Sequence, residues 1–379
     1  MESCQGGDPS VKETNPKNFK GREAINSPIK YLNHFPFYNK MNPEQKLALI
    51  KRNTQEIVTE AELLDLIKKK KQPVVYLGTA ITGRPHIGYY VWVLKMADFL
   101  KAGFKVKVLL ADIHGALDNC PWDVLEKRYK YYSNVIPLMF QAVGADVKNI
   151  EIVKGSEFQL KKDYILDTLK LSTHTSIHDA TKAASEVVKF GDSPKLSGII
   201  YPLMQALDEE YLQADVQYGG VDQRKILMYA REYLPKVGYK SRVEVMTPLI
   251  PGLIGKKMSA SDPKSKIDLL DDEKTVQDKV RGAYCEEGKV EDNGVLAFLK
   301  LVIMTLKQDK KEKFIIERPA KFGGNISFSS YEELEQAFLN KKIHPLDLKN
   351  TLAREVNALL EPFRKNKAKL DKISMEAYA

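Results

Sequence analysis

Two short segments far apart in the chain carry the residue types from which nucleotide chemistry can be built: Gly83-Arg84-Pro85-His86-Ile87-Gly88-Tyr89 and Lys256-Lys257-Met258-Ser259-Ala260-Ser261. His86 follows a proline at a helix start, where free backbone N–H groups and the helix dipole favour phosphate. A neutral imidazole can donate one further hydrogen bond to a phosphate oxygen, and Gly88 lets a flat ring lie against the backbone. Lys256 and Lys257 follow the Gly- and Pro-bearing stretch Pro251 to Gly255, a composition suited to a loop that moves. A lysine on such a loop can meet charge that develops on pyrophosphate in the transition state, while Ser259 and Ser261 hold the loop or touch phosphate. The chemistry suggested is attack of a carboxylate on the α-phosphate of ATP. A capping histidine and a solvated basic turn are the plainer alternatives for each segment taken alone.

Between them lies a second constellation. Tyr201, Gln205 and Asp208 are spaced i, i+4, i+7 and fall on one helical face, making a polar pocket wall that Gln217 can extend. Gly219-Gly220 allows close backbone approach, and Asp222-Gln223 adds acceptors of the kind a ribose needs. No G-x-x-x-x-G-K-[ST] and no G-x-G-x-x-G follows the first strand, which argues against a P-loop NTPase and a dinucleotide oxidoreductase.

The elements that must position these residues are readable in outline. Asn42-Pro43-Glu44 opens a helix and Thr59-Glu60-Ala61-Glu62 caps a second, with Leu63, Leu64 and Ile67 as its buried stripe. Pro73 to Leu77 reads as a buried strand, Gly78 to Arg84 as a loop, and a helix is expected from near His86 until Gly103. The run from Val106 to Ala111 is the next strand. This βαβ unit is expected to be parallel and right-handed, with its site beyond the carboxyl ends of the strands, placing Gly78, Thr79, His86 and Asp112 on one edge. Tyr129 to Ser185 and the part after Asp268 read as helical, the latter broken at Phe322-Gly323-Gly324-Asn325.

The chain has 379 residues, 43% hydrophobic and 29% charged, enough for two domains that each bury a core. No apolar run reaches the ~20 residues that cross a bilayer, and no apolar signal region follows Met1, so a cytoplasmic location is expected. Three scattered cysteines and six scattered histidines give no support to a disulfide framework or a structural metal site. The net charge of +9 permits an anionic partner such as RNA, although the balance is nearly even from Ser265 onward.

On these motifs, with Leu109-Leu110-Ala111-Asp112-Ile113-His114 and Ile343-His344-Pro345-Leu346-Asp347-Leu348-Lys349-Asn350, the chain resembles the eukaryotic and archaeal tyrosyl-tRNA synthetases, of class I. The resemblance runs from about Pro43 to the C-terminus. It implies an α/β fold: a Rossmann-like parallel-sheet catalytic domain with a helical insert over residues 36–264, then an all-α anticodon-binding domain over 265–379. Residues 1–35, polar and poor in large apolar residues, are expected from composition to form a disordered tail. It implies that Tyr76 and Asp208 bind the phenolic hydroxyl of tyrosine, and that Tyr201, Gln205 and Gln217 surround its α-amino group. Gly78, Thr79, His86 and Gly88 match the ATP site, Gly220, Asp222 and Gln223 the ribose and adenylate, and Lys256 to Ser261 the mobile KMSKS loop. Phe322, His344 and Asp347 match residues that hold the first anticodon base of tRNA(Tyr). The activity implied is tyrosine–tRNA ligation with ATP and Mg²⁺, by a homodimer joined through the central helical insert. Two departures stand out. The HIGH motif ends in Tyr89, and Ala260 replaces the second lysine of KMSKS. A tryptophanyl enzyme would share the fold and both end motifs, but an indole offers one donor and no acceptor, so Asp208 and Tyr76 favour a phenol.

Overall fold

The local signals at the start of the chain act as read. In a computed structural model describing residues 41–188, 190–253 and 266–378, α1 (Pro43–Lys51) starts at a capping box between Asn42 and Gln45 with Pro43 in its first turn. Thr59 caps α2 (Glu60–Lys69), accepting from the Glu62 N–H, and Leu63 and Ile67 are buried beneath it. Between these helices lies β1 (Glu56–Val58). β2 (Val74–Ala80), α3 (Tyr90–Lys101) and β3 (Lys105–Ala111) form the expected parallel βαβ unit. α3 ends just before Gly103, whose φ of +91 a side chain would resist.

Two boundaries differ from the sequence reading. β2 does not stop at Leu77: Gly78, Thr79 and Ala80 stay in register with Leu109, Leu110 and Ala111, because the ladder with β3 continues to supply partners. The α-helix starts at Tyr90 instead of near His86, since Ile87–Tyr89 winds as a 3-10 turn with His86 as its cap.

After β3 come α4 (Asp112–Leu117) and α5 (Leu125–Ala142), then β4 (Ile150–Lys154), α6 (Ser156–Gln159), α7 (Lys162–His174), α8 (Ile177–Ala184) and α9 (Leu196–Tyr211). β5 (Val216–Gly220), α10 (Arg224–Tyr233) and β6 (Val243–Thr247) complete the sheet. Its order is β1-β6-β5-β2-β3-β4, parallel except for β1 on the β6 edge. β4 lies inside the stretch read as helical. A five-residue strand is too short to outweigh the helical periodicity on either side of it.

The last third holds α11 (Glu273–Gly282), α12 (Gly294–Phe298), α13 (Thr305–Lys310), α14 (Tyr331–Leu339), α15 (Pro345–Leu359), α16 (Glu361–Lys365) and α17 (Lys367–Tyr378). It is helical as expected, with one addition: an antiparallel ribbon of β7 (Phe314–Ile316) and β8 (Ile326–Phe328) flanks the Phe322-Gly323-Gly324 turn. Among the described residues no helix is long and apolar enough to cross a membrane.

A partly buried ionic junction ties the last third to the sheet's helices. Arg52 donates to both carboxylate oxygens of Asp309 on α13, and its Nε donates to Asp98 of α3 at 2.9 Å, while Lys101 lies 2.5 Å from Asp309. Burial pushes the Asp309 carboxyl up, but hydrogen bonds and charge from Arg52 and Lys101 outweigh it and hold the group below its ordinary value. Its ionised form therefore contributes stability above the unfolded carboxylate range, and loses it as pH falls through the lower folded value. Asp309→Ala leaves Arg52 half-paired and is expected to cost about 1.5–3 kcal/mol, read as a lower urea midpoint at neutral pH. The difference from the parent should shrink as the pH drops below about 4.

Candidate active site

A cleft of about 440 Å³ opens beyond the carboxyl ends of β2, β3, β5 and β6, the place where open parallel sheets hold ligands. It brings together Tyr76, Gly78, Thr79, His86 and Gly88 from the first βαβ unit, Tyr201, Gln205 and Asp208 from α9, and Gly220, Asp222 and Gln223 from the end of β5. The α9 residues share one face because their spacing follows the helical turn. Asp112, expected on the same edge, turns elsewhere: its Oδ1 accepts from the Ser156 N–H at 2.8 Å and fixes the start of α6. Gln217 is buried in β5 directly beside Tyr76 of β2, not among the residues that line the cleft.

At one end of the cleft, Tyr76 and Asp208 are each only 1% exposed. The Tyr76 hydroxyl donates to the Gln205 carbonyl at 3.3 Å. Asp208 Oδ1 accepts from Gln159 Nε2 at 2.8 Å and lies 2.9 Å from the Tyr164 hydroxyl. Burial pushes the Asp208 carboxyl up to about 8, against the pull of those two partners. Its Oδ2 sits 3.7 Å from His114 Nε2, beyond hydrogen-bond reach. His114 Nδ1 faces Gln159 Nε2 at 3.2 Å and acts as acceptor, so Nε2 carries the proton. Burial drops the imidazole to about 4 and keeps it neutral. That Nε2–H is buried and donates to none of the described residues. The pocket end thus presents an acceptor and a donor 3.7 Å apart, a pair that one hydroxyl can satisfy together.

The sequence marks His114 only as part of a matching stretch and carries no signal for Gln159 or Tyr164. Each reaches Asp208 across more than forty residues of chain. The one local hint was His114's position a turn beyond the end of β3.

At the other end, His86 caps the 3-10 turn, its Nδ1 accepting from the Gly88 N–H at 3.2 Å. The protonated nitrogen is then Nε2. Burial and the charge of Lys266 lower this ring to about 3, so it is a neutral donor at physiological pH. Lys266, for which the sequence offers no local signal, is 5% exposed with its Nζ 3.5 Å from the Arg84 carbonyl. Tyr89 packs its ring edge-on against His86 at 5.2 Å, which gives this departure from the motif a packing role. The Gly83 carbonyl is held from two sides: it accepts from the Tyr132 hydroxyl and, at 2.9 Å, from Tyr378 at the end of α17. Lys256, Lys257, Ser259 and Ser261 lie outside the described residues. Among the described residues no group of three His, Cys, Asp or Glu side chains is placed to hold a metal.

Phe322, His344 and Asp347 sit far down the chain, away from the cleft lining. Phe322 is 60% exposed on the turn between β7 and β8. His344 caps α15, its Nδ1 accepting from the Leu346 N–H, and Asp347 lies half-buried in the first turn. Arg318 joins the two segments, donating to the Gly324 carbonyl at 2.7 Å and to the Lys342 carbonyl at 3.3 Å.

The parallel sheet with a polar-walled cleft at its carboxyl edge defines a Rossmann-like α/β protein, and the family model for "tRNA synthetases class I (W and Y)" matches residues 68–361. A cytoplasmic tyrosine–tRNA ligase of Gallus gallus is 46% identical over 340 residues, 89% of this chain and 64% of that protein. A tyrosine–tRNA ligase of Haloarcula marismortui is 43% identical, covering 89% of this chain and 98% of its own length. The crystal structure of an Archaeoglobus fulgidus tyrosyl-tRNA synthetase complexed with L-tyrosine superposes with a TM-score of 0.80 at 42% identity, covering 86% of this chain and 99% of that one. This chain belongs to the tyrosyl-tRNA synthetase family. It spans less than two thirds of the length of the vertebrate relatives it matches. A tryptophanyl-tRNA synthetase of Aeropyrum pernix, 17% identical with a TM-score of 0.64, shares the fold.

Proposed function

We propose that the chain is a tyrosine–tRNA ligase: it activates tyrosine with ATP to tyrosyl-adenylate and pyrophosphate, then transfers the tyrosyl group to the 3′ end of tRNA(Tyr). The observation that carries this reading is one cleft with a buried hydroxyl-binding end at Tyr76, Asp208 and His114 and a neutral-histidine helix start at the other end. A carboxylate oxygen of tyrosine attacks the α-phosphorus, the bond to the bridging oxygen breaks, and pyrophosphate leaves with its electron pair. Positioning and electrostatics supply the rate, and no acid–base pair is needed. Mg²⁺ arrives on the triphosphate as part of the substrate, since its usual ligands are phosphate oxygens and water. Lys256 and Lys257, with Ser259 and Ser261, are assigned to the departing pyrophosphate by family resemblance. Tyr201, Gln205 and Gln217 are assigned to the α-ammonium. Gly220, Asp222 and Gln223 are assigned to the ribose.

We assign residues 36–264 to catalysis and 265–379 to the anticodon, with Phe322 stacking on an unpaired base and Asp347 accepting from guanine N–H groups. The cytoplasm is the proposed location, as the names of the eukaryotic relatives suggest. Tyrosine-dependent ATP–pyrophosphate exchange tests the activity, and exchange with tryptophan alone would overturn it.

The proposed second copy docks on α7, where Ile165, Leu166 and Leu169 are 42%, 45% and 60% exposed on one side of the helix while Tyr164 and Leu171 are buried on the other. Leu169→Asp is expected to convert a species of twice the 43.0 kDa chain mass into one of 43.0 kDa in light scattering at micromolar concentration. A parent that already runs at the single-chain mass rules out the dimer.

A further inference from the structure

The cleft holds a pair of buried hydroxyls to which the ligase reading gives no role. Tyr76 and Gln217 are register partners on β2 and β5, so Tyr218, the next residue, leaves the opposite face of the sheet. It packs in the core formed with Leu77 and α3, apart from the smaller cluster that contains Tyr76. On β6, Val245 stands opposite Tyr218 and Thr247 opposite Gly220, which puts Thr247 on the same face as Tyr218 and closer to the carboxyl ends of the strands. The two hydroxyls meet at 2.6 Å. Tyr218 is 3% and Thr247 2% exposed, and both line the cleft. Burial pushes the Tyr218 phenol above its ordinary value, so it keeps its proton.

Much of the lining on this side of the cleft is apolar. Val91 and Trp92 come from the first turn of α3, directly after the 3-10 turn that His86 caps, and Leu249 and Ile250 come from the segment after β6. Gly88 and Gly220 line the same cleft without side chains, and a Cβ added at Gly220 would lie 3.1 Å from Leu249. Such walls suit the faces of a flat ring and leave its edge to the hydroxyls. The phenol of tyrosine belongs to the Tyr76 end, on the other face of the sheet, and Asp222 and Gln223 are assigned to the ribose. The base of the nucleotide is the ring still to be placed. Two hydroxyls carry two hydrogens and share one of them, so the pair keeps one O–H and a lone pair for a ligand. The edge of adenine that bears its exocyclic amine offers the complement, an N–H donor beside a ring nitrogen that accepts.

We propose that the Tyr218–Thr247 hydroxyl pair reads the base of ATP: it accepts from the exocyclic amine of adenine and donates to the ring nitrogen beside it. This rests on the ligase reading and deepens it, adding two specificity-determining residues to a subsite otherwise built from glycines, His86 and apolar walls. A base without the amine leaves a lone pair of the buried pair unmatched, and an unmatched polar group in a dry site lowers affinity.

The test is equilibrium binding of ATP and of purine riboside triphosphate, which lacks only the exocyclic amine, to the parent chain and to Tyr218→Phe/Thr247→Val. The parent is expected to bind ATP about tenfold more tightly than the analogue, the upper size of one net hydrogen bond between neutral groups. In the double variant that ratio should fall to within about twofold, because the partner of the amine is gone. Affinity for L-tyrosine should stay within about twofold of the parent's. Thr247→Ser keeps a hydroxyl and should keep the ratio. A ratio that persists in the double variant, a parent ratio near one, or an equal loss of tyrosine and ATP binding overturns the proposal. If the double variant does not fold, Tyr218→Phe and Thr247→Val carry the comparison singly, and an unchanged ratio in both overturns it. A parent that shows the ratio but no tyrosine-dependent pyrophosphate exchange supports the base assignment while defeating the ligase reading; one that binds neither nucleotide overturns both.

Discussion

Asp208→Ala is expected to lower kcat/KM for tyrosine in pyrophosphate exchange by about 10²-fold and to remove most of the preference over phenylalanine. The first figure is the upper end of the cost of leaving a buried hydrogen-bonding group unpaired, near 3 kcal/mol. The second follows from the empty site. A pocket built around a hydroxyl leaves Asp208 Oδ2 and His114 Nε2–H unpaired when phenylalanine enters, and buried unpaired groups are costly. Sites of this kind reject the dehydroxylated analogue by about 10⁴–10⁵, a ratio for which tyrosyl-tRNA synthetases are themselves the reference case. The substitution also strips Gln159 and Tyr164 of an acceptor, so unfolding curves must accompany the kinetics. Loss of rate with discrimination retained would move the hydroxyl-binding role away from Asp208. His114→Ala provides the complementary measurement, removing the donor while leaving the acceptor in place.

The second large effect concerns the phosphate end. His86→Ala is expected to reduce kcat for exchange by about 10²–10³, the usual loss when one preorganised donor to developing charge is removed, while tyrosine affinity stays within about twofold. The separation follows from geometry. His86 caps the 3-10 turn ahead of α3, whereas the groups proposed to bind the hydroxyl stand on β2, α4 and α9. The pH dependence gives an independent check. Burial and Lys266 keep the His86 ring neutral down to about 3. The free-enzyme profile of kcat/KM for ATP should then show no break from this residue between about pH 5 and 8. A break near the ordinary histidine value that disappears in His86→Ala would show that the ring is solvated and titrating, contrary to the described packing.

The residues that do chemistry were legible where chemistry and local structure coincide. Pro85-His86 at a turn, glycines where a chain passes a ligand, and three polar side chains on one face of α9 each encode their placement within a few positions. The parallel βαβ unit was readable for the same reason: two apolar runs, a helix between them and a glycine after it. β4 and the β7–β8 ribbon were not, because strands of three to five residues carry too little periodicity against helical neighbours. Gln217 shows the limit from the other side. Its place after α9 suggests that it extends the pocket wall, but its burial outside the cleft lining is a matter of register with Tyr76 and Glu244.

Caps, turns and spacings that act over a few residues are enough to set the class of fold, the order of the motifs and the candidate residues at the two ends of the cleft. Only the tertiary structure decided which groups complete each end: His114, Gln159 and Tyr164 around Asp208, Lys266 beside His86, and Tyr378 of the last helix on the Gly83 carbonyl. These contacts join residues tens to hundreds of positions apart. Nothing local in a chain specifies which buried donor will meet which buried acceptor; that is settled when packing removes water and leaves each polar group to find a partner.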